Sequence, residues 1–547
     1  MKYNYSRHCS NNKDKALQRR LEIVPGALSW AIIIGMSVLS IAAPLAAAVI
    51  MVAFVLYWVL RLLYMNIFLV LSYARLSVEK GTDWMSRISG IDHIESYVKG
   101  MCVRGTDGNL KEKVSLGFYC RDLSKLMASK ALPPKSKDIY HLVIIPVFKE
   151  TGAVVEPGIK GIVSGRYPSS RALVVIALEG RATEEIEKDI SGIKDKYKKD
   201  FLDFLVVRHP DNIPGERKVK GANTSYAAKE AGAYFDKKKI PYDNVIVSCF
   251  DADTVPNPDY FSCLTYRFMI TPDRTRRSYQ PIPVYHNNIW DVSGFARILD
   301  IGTSFFELVE ATNPRNMVTF SSHSMSFRTL VDVGFWPVDM ISDDSAIFWK
   351  AFIHYDGDYQ TQPIYTTVSM DIVTGRDIKE SFVNIYRQKR RWAWGVENFP
   401  IVIRAFLRSS AIPIYKKITY GYRLLEAFVS WATWSFLLAL ISWLPAFFAG
   451  REFATSTVYY TAPRIQGTIF SLSSVGLVIC MLLSILMLPR KKTRNGILKR
   501  IQHIFEWLFI PVIVLALSAI PALDSQTRLA FGRYMEFWTA GKYRKTR

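Results

Sequence analysis

Hydrophobic residues gather in long runs near both ends of this chain and in short, strand-length runs through its middle. From Gly26 to Tyr73 the only charge is Arg61. That stretch is roughly twice the ~20 residues one helix needs to cross a bilayer, so 26–73 predicts two spans turning near Pro44. Arg61 then snorkels toward the headgroups from the end of the second span. Three further apolar runs, Leu424 to Ala449, Ile465 to Leu488 and His503 to Leu523, predict transmembrane segments within 424–523. Pro511 and Pro521 interrupt the last of them, which predicts a re-entrant or broken hairpin.

Between these blocks, 80–395 has soluble character and alternates short apolar runs with polar, helix-compatible segments, the α/β pattern. Strands are expected at His141 to Pro146, Ala172 to Leu178, Phe204 to Val207 and Asn244 to Phe250, and helices at Ala182 to Phe201 and Asn223 to Phe235. The strands are rich in Val, Ile and Leu without clean alternation, as strands buried on both faces of a mostly parallel sheet are. Residues 396–422 mix apolar positions with Arg404, Arg408, Lys416 and Lys417, which predicts interfacial amphipathic helices.

The charge pattern orients this arrangement. The 547 residues carry a formal net charge of +22, which alone admits nucleic acid, an anionic membrane face or an anionic substrate. Position decides more than the total. The basic N-terminal tail, 1–25, and the acid-free turn Arg490 to Arg500 belong on the cytoplasmic side, which places 80–395 there as well. The basic tail 524–547 is expected on the same side, as the hairpin reading requires. Six scattered cysteines lack paired metal-ligand spacing, so neither a disulfide scaffold nor a zinc site is indicated.

Chemistry is expected beyond the carboxyl ends of the strands. Strand 244–250 runs into Asp251-Ala252-Asp253, two carboxylates placed to share a hard divalent cation that also binds a diphosphate, although such a pair also serves as an ordinary helix cap. Ser342-Asp343-Asp344 precedes a helix-like segment and reads either as an N-cap or as a general base for an attacking hydroxyl. Lys218, Lys220 and Asn223 stand before a helix, where a lysine would reach a phosphate or simply be solvated. At 386–394, Arg387 and Lys389 to Arg391 lie beside Trp392 and Trp394, which suits a diphosphate and a stacked sugar, or a juxtamembrane anchor.

Taken in order, these pieces resemble the membrane-embedded family 2 glycosyltransferases, the group that includes cellulose, chitin and hyaluronan synthases. Ile145-Pro146-Val147-Phe148-Lys149-Glu150 looks like that family's opening strand and loop, and Asp251-Ala252-Asp253 like its metal motif. Ser342-Asp343-Asp344 matches its Thr-Glu-Asp, and Gln388-Lys389-Arg390-Arg391-Trp392 its Gln-x-x-Arg-Trp. Phe537-Trp538-Thr539-Ala540-Gly541-Lys542 is similar to the hyaluronan synthase gating loop. The departures are Glu179 where an aspartate is usual, Ser342 and Asp343 for threonine and glutamate, Lys149 for asparagine, and Phe537 for tryptophan.

The resemblance implies a glycosyltransferase-A-type α/β domain inserted between transmembrane helices, in a multi-pass protein of the plasma (inner) membrane. It implies inverting transfer from a UDP-sugar to a growing glycan or a lipid acceptor, not a nucleic-acid partner. Asp344, with Asp343 beside it, would be catalytic. Asp253 and Asp251 would hold Mg²⁺ or Mn²⁺. Glu150, Glu179, Lys218, Asp251, Gln388, Arg391, Trp392, Thr539 and Lys542 would bind the nucleotide sugar, and Trp392 the acceptor. Processive polymer synthesis with export and single transfer to a lipid both stay open, as do an accessory subunit and a homo-oligomer.

Overall fold

The computed structural model describes residues 3, 5–9, 11–94, 109–129, 131–448, 457–489 and 496–538. Its centre is an eight-stranded mixed sheet in the order β3-β2-β1-β4-β7-β6-β8-β5. The strands are β1 (Tyr140–Val147), β2 (Ala172–Glu179), β3 (Asp203–His209), β4 (Val245–Cys249), β5 (Val255–Pro256), β6 (Arg277–Val284), β7 (Ser324–Ser326) and β8 (Gln360–Ser369).

β1 to β4 pair in parallel, in the expected places. Their apolar runs follow from the two cores they separate. Val143, Ile145 and Val147 of β1 face one cluster, with the helices Gly152–Val163 and Glu184–Tyr197. Leu142 and Ile144 face the other, with Lys220–Lys238 and Asp343–His354. β1, β2 and β4 are buried on both faces, so their runs are apolar apart from His141 and Ser248, which are buried in hydrogen bonds, whereas β3 at the sheet edge is only partly covered.

The second half of the sheet was not expected. β7 runs antiparallel to both β4 and β6, and β8 is parallel to β6. Its strands carry weak signals: β6 contains Pro281 and Pro283, and β7 is only Ser-Met-Ser. Prolines inside a run argue against a strand on sequence grounds. Here the register with β8 shifts between Pro281 and Ile282 and absorbs them.

Apolar helices precede and follow this domain. Asn12–Ala42 and Pro44–Glu79 form a pair broken at Ala43. Asp14, near the start of the first, pairs with Arg408, and Glu79, at the end of the second, with Arg267 at 3.2 Å, so the pair returns the chain to the side it left. Among the described residues, three helices are long and apolar enough to cross a membrane, Asn12–Ala42, Pro44–Glu79 and Leu498–Ala530. They become four if Ile414–Ala439 and Ile441–Phe447, bent by 43°, count as one.

Within 396–422, Asn398–Arg408 packs Phe399, Ile401, Val402 and Phe406 into the domain core, whereas Ile414, Tyr415, Ile418 and Tyr422, on the first turns of Ile414–Ala439, are exposed. One expectation is corrected. The third apolar run is one continuous helical passage, Leu498–Ala530, rather than a hairpin. Pro511 and Pro521 occupy first-turn positions of helical segments, where a missing N–H is not needed, and a π turn at Leu515–Ala519 lies between them. Near its start Glu506 pairs with Arg297 at 2.8 Å, and near its end Asp524 pairs with Arg390 at 3.0 Å. The passage is thus tied to the α/β domain at both ends and delivers 531–538 back to it.

Candidate active site

The carboxyl edge of the parallel strands opens into a cavity of about 220 Å³. Glu150 reaches it from beyond β1, Glu179 from the end of β2, and Asp251 and Asp253 from beyond β4. Lys220 and Asn223 reach it from the start of Lys220–Lys238, and Asp344 from the start of Asp343–His354. Gln388, Arg391 and Trp392, on one face of the helix Ile378–Ala393, close the opposite side. Groups separated by more than two hundred residues therefore share one space.

A buried lysine links two of the acids. Lys220 Nζ lies 2.8 Å from Asp251 Oδ1 and 3.0 Å from Asp344 Oδ1. Burial works against its charge, but Asp251 and Asp344 outweigh it and hold the ammonium well above the usual lysine range. Lys218 does not line the cavity: it stands on the surface, 3.1 Å from Asp211. The difference is one of phase, since Lys220 is the first residue of the helix and Lys218 precedes its cap.

The next residue fixes how closely that helix approaches. A Cβ on Gly221 would sit 2.3 Å from the Pro337 carbonyl oxygen and 3.1 Å from Asp343 Cβ. Backbone cannot yield to it, so Gly221→Ala must push the helix start away from the 337–344 turn and carry Lys220 off its two carboxylates. We expect turnover to fall by roughly tenfold or more, since ångström-scale misplacement costs up to ~10²-fold. Steady-state kinetics on the purified variant checks this.

Asp343 and Asp344 occupy different surroundings. Asp344 faces the cavity, whereas Asp343 is buried behind it against Gly221 and does not line it. Burial, then the neighbouring Asp344, holds the Asp343 carboxyl above the ordinary aspartate range. The turn is held from below by Glu397, whose Oε1 accepts from the Ile341 and Ser342 amides, both at 3.0 Å, and from Ser342 Oγ at 2.8 Å. Glu397 Oε2 accepts from Trp394 Nε1 at 2.9 Å. Trp394 is therefore a buried support rather than a stacking surface.

The cluster of cations at 387–391 separates in the same way. Lys389 is buried in an ion pair with Asp300 at 2.7 Å, and Arg390 pairs with Asp524. Arg387 lies 5.8 Å from the Trp538 ring centroid, and only Arg391 of the four faces the cavity. Lys389→Met leaves Asp300 charged and unpaired inside the protein. The expected cost is about 3–5 kcal/mol, read as a lowered unfolding midpoint in denaturant.

Of the further groups at the cavity, His323, Phe320 and Tyr285 carried no sequence signal, and His323 is fully buried just behind the lining. His323 Nδ1 lies 3.8 Å from Asp344 Oδ1, and burial lowers its pKa to about 4, so the ring is neutral. Phe320 meets Trp392 edge-on at 5.6 Å. Tyr285 lines the cavity with a buried hydroxyl that has no protein partner. Phe537 and Trp538 cover the cavity from the C-terminal segment, Phe537 beneath Arg391 at 5.5 Å. Thr539 and Lys542 lie outside the described residues.

Among the described residues no group of three or more His, Cys, Asp or Glu side chains is placed to hold a metal ion. Asp251 and Asp253 supply two hard oxygen ligand groups. Asp251 is engaged by Lys220 and Ser321, and Asp253 Oδ2 accepts from the Asp371 amide at 2.9 Å. A pair of carboxylates fits Mg²⁺ or Mn²⁺ when a diphosphate and water complete the coordination.

Residues 246–516 match the model of the family described as Glycosyl transferase family group 2. No curated protein matches the chain in sequence. Among solved structures it is similar to the mannosyltransferase PcManGT from Pyrobaculum calidifontis, in complex with GDP-Man and Mn²⁺. Identity there is 15% over 67% of this chain and 97% of that one, with a TM-score of 0.38. It is also similar to S. aureus TarS 1-349 in complex with UDP-GlcNAc, at 11% identity over 73% of this chain and 94% of that one, with a TM-score of 0.35. Likenesses this distant carry nothing about donor or metal to this chain.

Proposed function

We propose, from the premise that this chain is a family 2 glycosyltransferase, that it polymerises sugar from a UDP-sugar donor by inverting transfer and exports the β-linked product across the membrane. The observation that carries the transfer chemistry is the single cavity into which Asp251, Asp253, Lys220, Asp344, Arg391 and Trp392 open.

In this reading the nucleoside end of the donor lies toward Glu150 and Glu179, and its diphosphate toward Asp251 and Asp253. Those two aspartates would hold the divalent cation, which when bound neutralises charge on the diphosphate. Lys220 and Arg391 supply fixed positive charge to the same leaving group. Asp344 takes the proton of the acceptor hydroxyl as its oxygen bonds to the anomeric carbon. The bond from that carbon to the diphosphate oxygen breaks, and UDP leaves with the electron pair. Donor binding draws Lys220 toward the diphosphate and leaves the Asp344 carboxylate free to meet the acceptor hydroxyl. Trp392, set edge-on to Phe320, gives the acceptor sugar an aromatic face.

The apolar helices on both sides of the domain support a multi-pass arrangement with the cavity on the cytoplasmic side, where UDP-sugars are found. Phe537 and Trp538, against Arg391 and Arg387, suit a segment that closes over the donor. Product length tests the polymerising reading. Detergent-purified protein given a labelled UDP-sugar is expected to yield a ladder or high polymer, and a single labelled glycolipid would establish the lipid-acceptor reading instead.

A further inference from the structure

Residues 5–9 lie far from the cavity in sequence but not in space. Tyr5 is 3% exposed, packed in the same core cluster as Phe399, Ile401 and Val402. Its hydroxyl donates to Asn398 Oδ1 at 2.7 Å. The amide of Asn398 in turn donates to Ser342 Oγ and Ser345 Oγ, both at 3.1 Å, and to the Gly395 carbonyl at 2.9 Å. Ser342 and Ser345 bracket Asp343 and Asp344.

Neighbouring contacts hold the segment in place. Ser6 Oγ donates to Asp339 Oδ2 at 2.6 Å, the Arg7 amide to the same oxygen at 3.2 Å, and Arg404 Nη2 to the Ser6 carbonyl at 2.7 Å. Arg404 Nε donates to Tyr3 Oη at 2.8 Å, and Tyr3 Oη to the Ile401 carbonyl at 3.1 Å. The Arg7 guanidinium stacks 4.0 Å from the ring centroid of Tyr534, just before the residues that cover the cavity. Tyr3 and residues 5–9 thus form a strap between the turn that carries Asp344 and the segment that carries Phe537 and Trp538.

We infer that Tyr5 is a positioning residue for sugar transfer: through Asn398 it fixes the Ser342–Ser345 turn and so aims the Asp344 carboxylate at the acceptor hydroxyl. This rests on the assignment of Asp344 as the base. Glu397 holds the same turn by its backbone amides, and Asn398 holds it by its two serine hydroxyls. A carboxylate that must meet a hydroxyl within hydrogen-bond reach is sensitive to small rotations of the turn beneath it. The strap therefore acts on the transfer step and leaves the nucleotide contacts, made on the far side of the cavity by Glu150 and Glu179, unaltered.

The test compares full-length Tyr5→Phe, Asn398→Ala, the double variant, a variant lacking residues 2–9, and Asp344→Asn. Each is measured for kcat, for donor KM, for UDP affinity by calorimetry and for thermal midpoint. Tyr5→Phe keeps the ring and its packing and removes one hydroxyl, so it is expected to fold. Its kcat is expected to fall roughly tenfold with donor KM and UDP affinity unchanged. The double variant is expected to lose no more than Asn398→Ala alone, since both act through one linkage. The deletion also removes the contact of Arg7 with Tyr534, so it is expected to lower kcat at least as far and to raise donor KM as well. A thermal midpoint that drops while kcat stays at the wild-type value makes Tyr5 purely structural and overturns the inference. Additive losses in the double variant overturn it as well. If Asp344→Asn turns over normally, the base assignment itself has failed; if Asp344→Asn is dead and Tyr5→Phe is unimpaired, only the role of Tyr5 has.

Discussion

Asp344→Asn is expected to lower sugar transfer by roughly 10²–10⁴-fold while sparing donor binding, the span that general-base catalysis contributes. The substitution keeps the size and most hydrogen-bonding capacity of the side chain and removes its ability to accept a proton at the acceptor hydroxyl. Asp344 is the member of its acidic pair that faces the cavity, and Asp343 is buried behind it. Asp343→Asn should therefore cost much less. Single-turnover transfer, with UDP affinity measured in parallel, separates the chemical step from binding. A similar loss of UDP affinity and of transfer would place Asp344 in donor binding rather than in proton transfer.

Lys220→Met is expected to cost roughly 10²–10³-fold in kcat, the scale seen when a preorganised electrostatic contact to developing charge is removed. Two effects add. The leaving diphosphate loses a buried cation, and Asp251 and Asp344, now without the ammonium 2.8 Å and 3.0 Å away, repel one another. Asp251 also loses the ammonium that occupies its carboxylate, so a divalent cation meets less positive charge there. The signature is a shift of the divalent-cation dependence to lower concentration together with weaker binding of UDP but not of uridine. Lys220→Arg should recover part of the activity by keeping the charge. Unchanged UDP binding and unchanged metal dependence in Lys220→Met would remove Lys220 from the diphosphate site.

Much of this was legible because the parallel half of the sheet ties chemistry to strand ends. β1, β2, β3 and β4 fall where their Val- and Ile-rich runs predict, and Glu150, Glu179 and Asp251 follow directly as the residues at their carboxyl ends. What could not be read was the phase of side chains around a helix whose start is set by tertiary contact. Lys218 and Lys220 are equally basic, and only where the helix starts, at Lys220, separates the one that enters the cavity from the one that pairs with Asp211 on the surface. At 387–391, grouping cations by nearness in sequence hid the helical period that sends Gln388, Arg391 and Trp392 to the cavity and Arg390 to Asp524. Pro281 and Pro283 concealed β6, and a three-residue β7 left no pattern to find. The bond from Tyr5 to Asn398 spans 393 residues, and no local rule reaches that far.

Measuring UDP release from a panel of UDP-sugars, with Mg²⁺ or Mn²⁺, by the wild-type protein and by Asp344→Asn puts the shared cavity to its most direct trial. One donor is expected to support release by the wild type, with a β-linked product from an α-linked donor, and Asp344→Asn is expected to abolish it. No release from any donor, or equal release by both proteins, would contradict the assignment.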